Sequence, residues 1–282
     1  IIITTHLFPA EILTCMKRKG IHIPKAVFIA TDYTCIPFTE ETECDAYIIP
    51  SDKLKEEFAD RGLPDEKLYP LGIPVDRCFS QKESRQAACK QLGLDPDKRY
   101  ILAAGGSMGG GKVKKVIQTL ADEIAARKDM ELIVICGSNK QMYNELIQKA
   151  LSGVTVIGFT SDMAEYMKAA DLFVTKPGGL SSTEAAVCGI PLIHVAPIPG
   201  CETYNARFFS DYGMSRYCHT SNRELADALK ILDSETESDA MVRNQRKMIR
   251  PDAAERISDF AERIAFASQE DAVMNREICL SE

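Results

Sequence analysis

The residues with the most chemical promise are three polar, glycine-containing turns, each following an apolar run. The first, Gly105-Gly106-Ser107-Met108-Gly109-Gly110-Gly111-Lys112, follows Tyr100 to Ala104 and leads into an amphipathic stretch. A strand that passes through such a loop into a helix gathers backbone N–H groups and the positive end of the helix dipole, which suits phosphate. Gly106, Gly111 and Lys112 fit the Walker A spacing, but Val113 stands where a magnesium-ligating Ser or Thr is needed, which argues against an NTPase. The dinucleotide fingerprint fails too, because the glycines are not spaced G-x-G-x-x-G and no acidic residue closes the next strand. A tight turn without a ligand is the plainer reading of the same glycines.

The second turn, Lys176-Pro177-Gly178-Gly179-Leu180-Ser181-Ser182-Thr183-Glu184-Ala185, follows the run Leu172 to Thr175. One hydroxyl suffices to cap a helix and three are present, so Ser181, Ser182 and Thr183 read as an anion site as well as a cap. Glu184, beside that first turn, has the chemistry to accept two hydroxyl hydrogen bonds from a ribose. The third turn, Ala196-Pro197-Ile198-Pro199-Gly200-Cys201-Glu202-Thr203-Tyr204-Asn205, ends another apolar run. Glu202 and Asn205 share a helix face there and suit sugar hydroxyls, with helix capping as the competing role.

Apolar runs alternating with amphipathic stretches are the pattern of parallel sheets covered by helices, so the expected class is α/β. The first segment has strands at Ala26 to Ala30 and Ala46 to Ile49 and a helix from Asp52 to Arg61. Ile1 to His6 reads as a buried strand entered midway. The second segment has strands at Tyr100 to Ala104, Leu132 to Cys136, Thr155 to Phe159, Leu172 to Thr175 and Leu192 to Val195. After about Ser221 the pattern is helical. Pro251 breaks it before an apolar stripe of Ile257, Phe260, Ile264 and Phe266, which needs a surface to cover it. The domains expected are a partial one at 1–76, a ligand-binding one at 77–250, and a helix at 251–282 returning to the first.

Composition narrows the functions. In 282 residues with 45% hydrophobic content there is material for two small cores or one large one. A net charge of -7 offers no broad cationic surface, so no nucleic-acid partner is expected. Ten cysteines without a C-x-x-C pair read as reduced thiols in a cytoplasmic protein. No apolar run approaches the roughly 20 residues that span a bilayer, so any membrane contact is expected to be peripheral. The one D-x-D string, Asp95-Pro96-Asp97, precedes a strand and reads as a turn, so no metal is expected. His6 and Asp32, past strand ends, are acceptor-side candidates, although polar residues there often only end a hydrogen-bond ladder. His194, inside an apolar strand, reads as a core histidine.

Taken in order, GGSMGGGK, Ile157-Gly158-Phe159, KPGGLSSTEA and PIPGCETYNA resemble the monogalactosyldiacylglycerol synthase and processive diacylglycerol glucosyltransferase family. Thr5-His6, Thr31-Asp32-Tyr33 and Gly72-Ile73-Pro74 extend the resemblance upstream. More distantly, the same motifs are similar to the lipid-linked N-acetylglucosaminyltransferase of peptidoglycan synthesis. The resemblance implies a GT-B architecture of two Rossmann-like domains with parallel sheets, the N-terminal one incomplete here. It implies an inverting transfer of a hexose from UDP-glucose or UDP-galactose to a lipid acceptor such as diacylglycerol, at the inner face of the membrane.

By the same resemblance, Gly105, Gly106, Ser107, Met108, Gly178, Gly179, Ser181, Ser182 and Thr183 would meet diphosphate. Phe159 would meet uracil through its backbone, Glu184 the ribose, and Gly200, Glu202 and Asn205 the sugar. No cofactor is implied, the UDP-sugar being a co-substrate, and the family's candidate base would lie upstream of Ile1, leaving this chain better at binding donor than at turnover. Two departures stand out: Cys201 replaces a usual Gln, and Thr39 and Glu41 stand where many relatives have an aromatic residue and a histidine. Competing readings are a UDP-sugar 2-epimerase and a catalytically silent nucleotide-sugar-binding protein.

Overall fold

A computed structural model describes residues 1–104, 111–125, 127–218 and 222–279. The chain forms two compact units, Ile1–Val75 with Arg250–Glu282, and Asp76–Ile249. The first unit holds a parallel sheet of β1 (Ile2–Thr4), β2 (Ala26–Ile29), β3 (Ala46–Ile48) and β4 (Leu68–Tyr69), in that spatial order. Between these strands run α1 (Leu7–Arg18) and α2 (Lys55–Asp60). The apolar runs of β2 and β3 are buried throughout, as a parallel strand covered on both faces requires. β1 departs from the buried strand expected of Ile1 to His6. It pairs with β2, and Ile1 and Ile3 remain 44% and 45% exposed, so β1 forms an edge among the described residues.

The second unit opens with α3 (Arg77–Ser80) and α4 (Arg85–Leu92) and continues through β5 (Arg99–Ala104), α5 (Gly111–Ile124), β6 (Met130–Ile135), α6 (Lys140–Lys149) and β7 (Val154–Ile157). It then runs through α7 (Met163–Ala169), β8 (Leu172–Thr175), α8 (Gly179–Cys188), β9 (Leu192–Val195), α9 (Cys201–Asp211), β10 (Arg216–Cys218), α10 (Asn222–Ala228) and α11 (Glu235–Met248). Local chemistry fixes several of these boundaries. Ser84 caps α4 by accepting from the Ala87 N–H, and Gly93 ends it in the left-handed region.

The strand order is β10-β9-β8-β5-β6-β7, parallel throughout. The chain starts in the middle at β5, moves outward to β7, then returns to place β8 on the other side of β5. Crossovers leaving β5 and β8 therefore diverge to opposite faces, which opens a crevice at the carboxyl ends of those two strands.

The chain then returns to the first unit through α12 (Ala253–Cys279). Ile257 and Phe260 pack against Val27, Ile29, Ala46 and Ile48, and the Phe260 ring lies 4.3 Å from that of Tyr69. Ile264 joins this cluster, whereas Phe266 is 60% exposed. Gly72 lets the two segments meet. Its φ is +97°, and a Cβ there would stand 3.1 Å from the Ala253 Cβ.

Candidate functional site

The crevice is built from the adjoining ends of β5 and β8. Ala104 and Thr175 are register partners, and the buried Thr175 hydroxyl donates to the Ala104 carbonyl at 2.7 Å. The segments leaving these strands thus start side by side. Gly105, Gly106, Ser107 and Met108 lie outside the described residues. Val113, at the position that breaks the Walker A pattern, is buried on α5.

After β8, the Gly178 N–H bonds back to the Lys176 carbonyl at 2.8 Å, and Gly178 is the N-cap of α8 without a side chain to cap it. The Ser182 N–H donates to the Gly178 carbonyl at 3.0 Å. Helix geometry therefore leaves the N–H groups of Gly179, Leu180 and Ser181 without an intrahelical partner, at the carboxyl edge of the sheet. The three hydroxyls expected at this turn divide. Ser181 stays partly exposed, whereas Ser182 and Thr183 are fully buried. Ser182 Oγ lies 2.9 Å from His194 Nε2, and the Thr183 hydroxyl donates to the Gly179 carbonyl at 2.7 Å.

Glu184 is half-buried on the first turns of α8. Burial alone pushes its carboxyl up to about 7, because removal from water disfavours the charged form. A carboxylate in that condition gains from any hydroxyl delivered to it. His194, by contrast, is wholly buried and pushed down to about 3 by the same cause, so it is neutral.

The third turn is bent and tied back to the second. Ala196 has φ +47° and Gly200 φ +111°; Gly200 is the N-cap of α9, with no side-chain cap. Glu202 Oε2 accepts from the Ile198 N–H at 2.6 Å, closing the turn on itself. Asn205 is fully buried, and its amide donates to the Pro177 carbonyl at 3.0 Å. Both side chains expected at the sugar thus have protein partners here. Cys201 is half-buried beside them.

Phe159 stands two residues beyond β7, at the far edge of the same sheet, with its ring 81% exposed. In the first unit, His6 caps α1, its Nδ1 accepting from the Phe8 N–H at 3.3 Å, and Asp32 follows β2, half-buried. Asp95 Oδ1 accepts from the Asp97 N–H at 3.0 Å in a turn at the opposite, amino end of β5. No cluster of three or more His, Cys, Asp or Glu side chains that could hold a metal ion occurs among the described residues.

Sequence reasoning passed over Thr175, which locks the two strand ends, and Lys176, half-exposed at the end of β8. A hydroxyl and a cation closing an apolar run were the available signal.

Residues 1–75 match the family Monogalactosyldiacylglycerol (MGDG) synthase, and residues 100–263 match the glycosyltransferase family 28 C-terminal domain. The processive diacylglycerol beta-glucosyltransferase of Staphylococcus saprophyticus is 31% identical over 243 residues, covering 83% of this chain and 60% of that protein. The chain thus spans about 60% of the length of the curated relatives it matches. Among solved structures, MurG of Acinetobacter baumannii aligns with a TM-score of 0.63 at 19% identity, covering 88% of this chain and 68% of that one. A Listeria monocytogenes protein assigned as a UDP-N-acetylglucosamine 2-epimerase aligns with a TM-score of 0.70 at 15% identity, covering 91% and 70%. At such identities the likeness is one of fold, the GT-B class of two Rossmann-like units.

Proposed function

Because the chain belongs to glycosyltransferase family 28, whose C-terminal domain it matches over residues 100–263, we propose that the unit Asp76–Ile249 binds the UDP of a UDP-sugar and that the whole protein transfers the hexose to a lipid acceptor. The observation that carries this reading is the uncapped amino end of α8 beside the locked ends of β5 and β8. Amides of Gly179, Leu180 and Ser181, with the Ser181 hydroxyl and the loop Gly105, Gly106, Ser107 and Met108, hold the diphosphate. Glu184 accepts the ribose hydroxyls, the backbone at Phe159 meets uracil, and the turn of Gly200 and Glu202 borders the sugar. Asn205 acts through Pro177.

The reaction in this reading is one in-line displacement. An acceptor hydroxyl loses its proton to a base and attacks the anomeric carbon, the bond to the diphosphate oxygen breaks, and UDP leaves. Amides and the helix end stabilise the charge that grows on the leaving diphosphate, so no metal enters. The donors are UDP-glucose or UDP-galactose. The acceptor is diacylglycerol, as named for the staphylococcal relative, with His6 and Asp32 on its side. No described helix is long and apolar enough to cross a membrane, and the protein acts peripherally at its cytoplasmic face.

Incubation with UDP-glucose, UDP-galactose or UDP-N-acetylglucosamine, with and without diacylglycerol vesicles, tests the reading. Glycolipid formed only with diacylglycerol supports it. An epimerised nucleotide sugar formed without acceptor replaces it with the epimerase reading. UDP binding without either product leaves a nucleotide-sugar-binding protein.

A further inference from the structure

β9 carries His194 in the middle of an otherwise apolar run, fully buried. Its ring bridges two hydroxyls, with Nε2 2.9 Å from Ser182 Oγ and Nδ1 3.0 Å from Ser215 Oγ. The ring also lies edge-on to Phe209, at 5.4 Å between centroids. Burial keeps the imidazole neutral, so one nitrogen donates and the other accepts, and the two serines complete the chain in complementary senses.

A polar ring in a buried strand is costly unless hydrogen bonds satisfy its nitrogens, and a ring so bonded holds its partners in turn. What it holds is Ser182, whose N–H closes the first turn of α8 onto the Gly178 carbonyl. That turn has no N-cap side chain, so its orientation depends on groups beneath it. Asn205 grips Pro177 in the turn that leads into the helix, and His194 grips the helix itself. Hydrophobic contact would fill the same volume, but a hydrogen bond also fixes direction.

We propose that His194 is a positioning residue for the donor site. Through Ser182, and backed by Ser215, it holds the first turn of α8 so that the amides of Gly179 to Ser181 point at the diphosphate. This inference rests on the UDP-binding reading above. It assigns a role to a histidine that sequence alone places only in the core.

Titration of UDP and, separately, of uridine into the protein and into His194→Phe and Ser182→Ala tests it. Both variants keep the nucleoside contacts and lose the Ser182 anchor. UDP should weaken about 5-fold or more, the worth of about one buried hydrogen bond, while uridine should change by less than about 2-fold. If His194→Phe does not fold, Ser182→Ala decides alone. Unchanged UDP affinity, or equal losses for UDP and uridine, overturns the positioning role while leaving the UDP site standing. Absence of UDP binding by the unaltered protein overturns both.

Discussion

The Asn205 amide donates to the Pro177 carbonyl at 3.0 Å across 28 residues, so the turn after β9 grips the turn after β8. Two crossover units are thereby fastened at the edge of the sheet where the uncapped amides of α8 emerge.

Asn205→Ala removes a buried donor and leaves the Pro177 carbonyl without it. The expected cost is about 1–3 kcal/mol, read as a lower midpoint in denaturant melts, together with weaker UDP binding. A variant as stable as the parent would show that water or another group replaces the amide freely.

Glu184 makes stability depend on pH in a stated direction. Its folded value of about 7 lies above the ordinary 4.5, so the folded chain holds the proton more tightly than the unfolded one. The stability it contributes is complete below the unfolded value and is lost as pH rises through about 7. Thermal melts of the parent and Glu184→Gln should therefore diverge between about pH 5 and about pH 8, the Gln variant gaining relative to the parent as pH rises. Parallel pH profiles for the two proteins would contradict the buried carboxyl.

Phe260 packs 4.3 Å from Tyr69 over the first sheet. Phe260→Ala should cost about 3–5 kcal/mol, as large-to-small changes in a packed core do. Phe266→Ala, on the same helix but 60% exposed, should stay within about 0.5 kcal/mol. Equal effects of the two would mean that α12 does not rest on its Phe260 face.

Much of the sheet was legible because buried parallel strands are short apolar runs. Leu172–Thr175 and Leu192–Val195 coincide with β8 and β9 to the residue. The helix Leu7–Arg18 escaped because its apolar residues do not mark its buried face: Ala10 and Thr14 are buried while Phe8 and Ile12 are 65% and 61% exposed. The strand Arg216–Cys218 escaped because three mixed residues at a sheet edge carry no period.

At the candidate site, sequence located the turns after β8 and β9 but not the direction of each side chain. Ser181, Ser182 and Thr183 are alike in type, yet successive helix positions rotate by about 100°, so one remains at the surface and two turn inward. Pairing of Ser182 with His194, or of Asn205 with Pro177, depends on tertiary contacts that no local pattern encodes.

Calorimetric titration of UDP into the protein, in buffer with a metal chelator, is the most direct measurement. If the turns after β5 and β8 share one UDP site as proposed, the titration should yield saturable heat for one UDP per chain, unaltered when the chelator is left out. No heat with UDP, or heat only when a divalent cation is supplied, would contradict a metal-free nucleotide site in this unit.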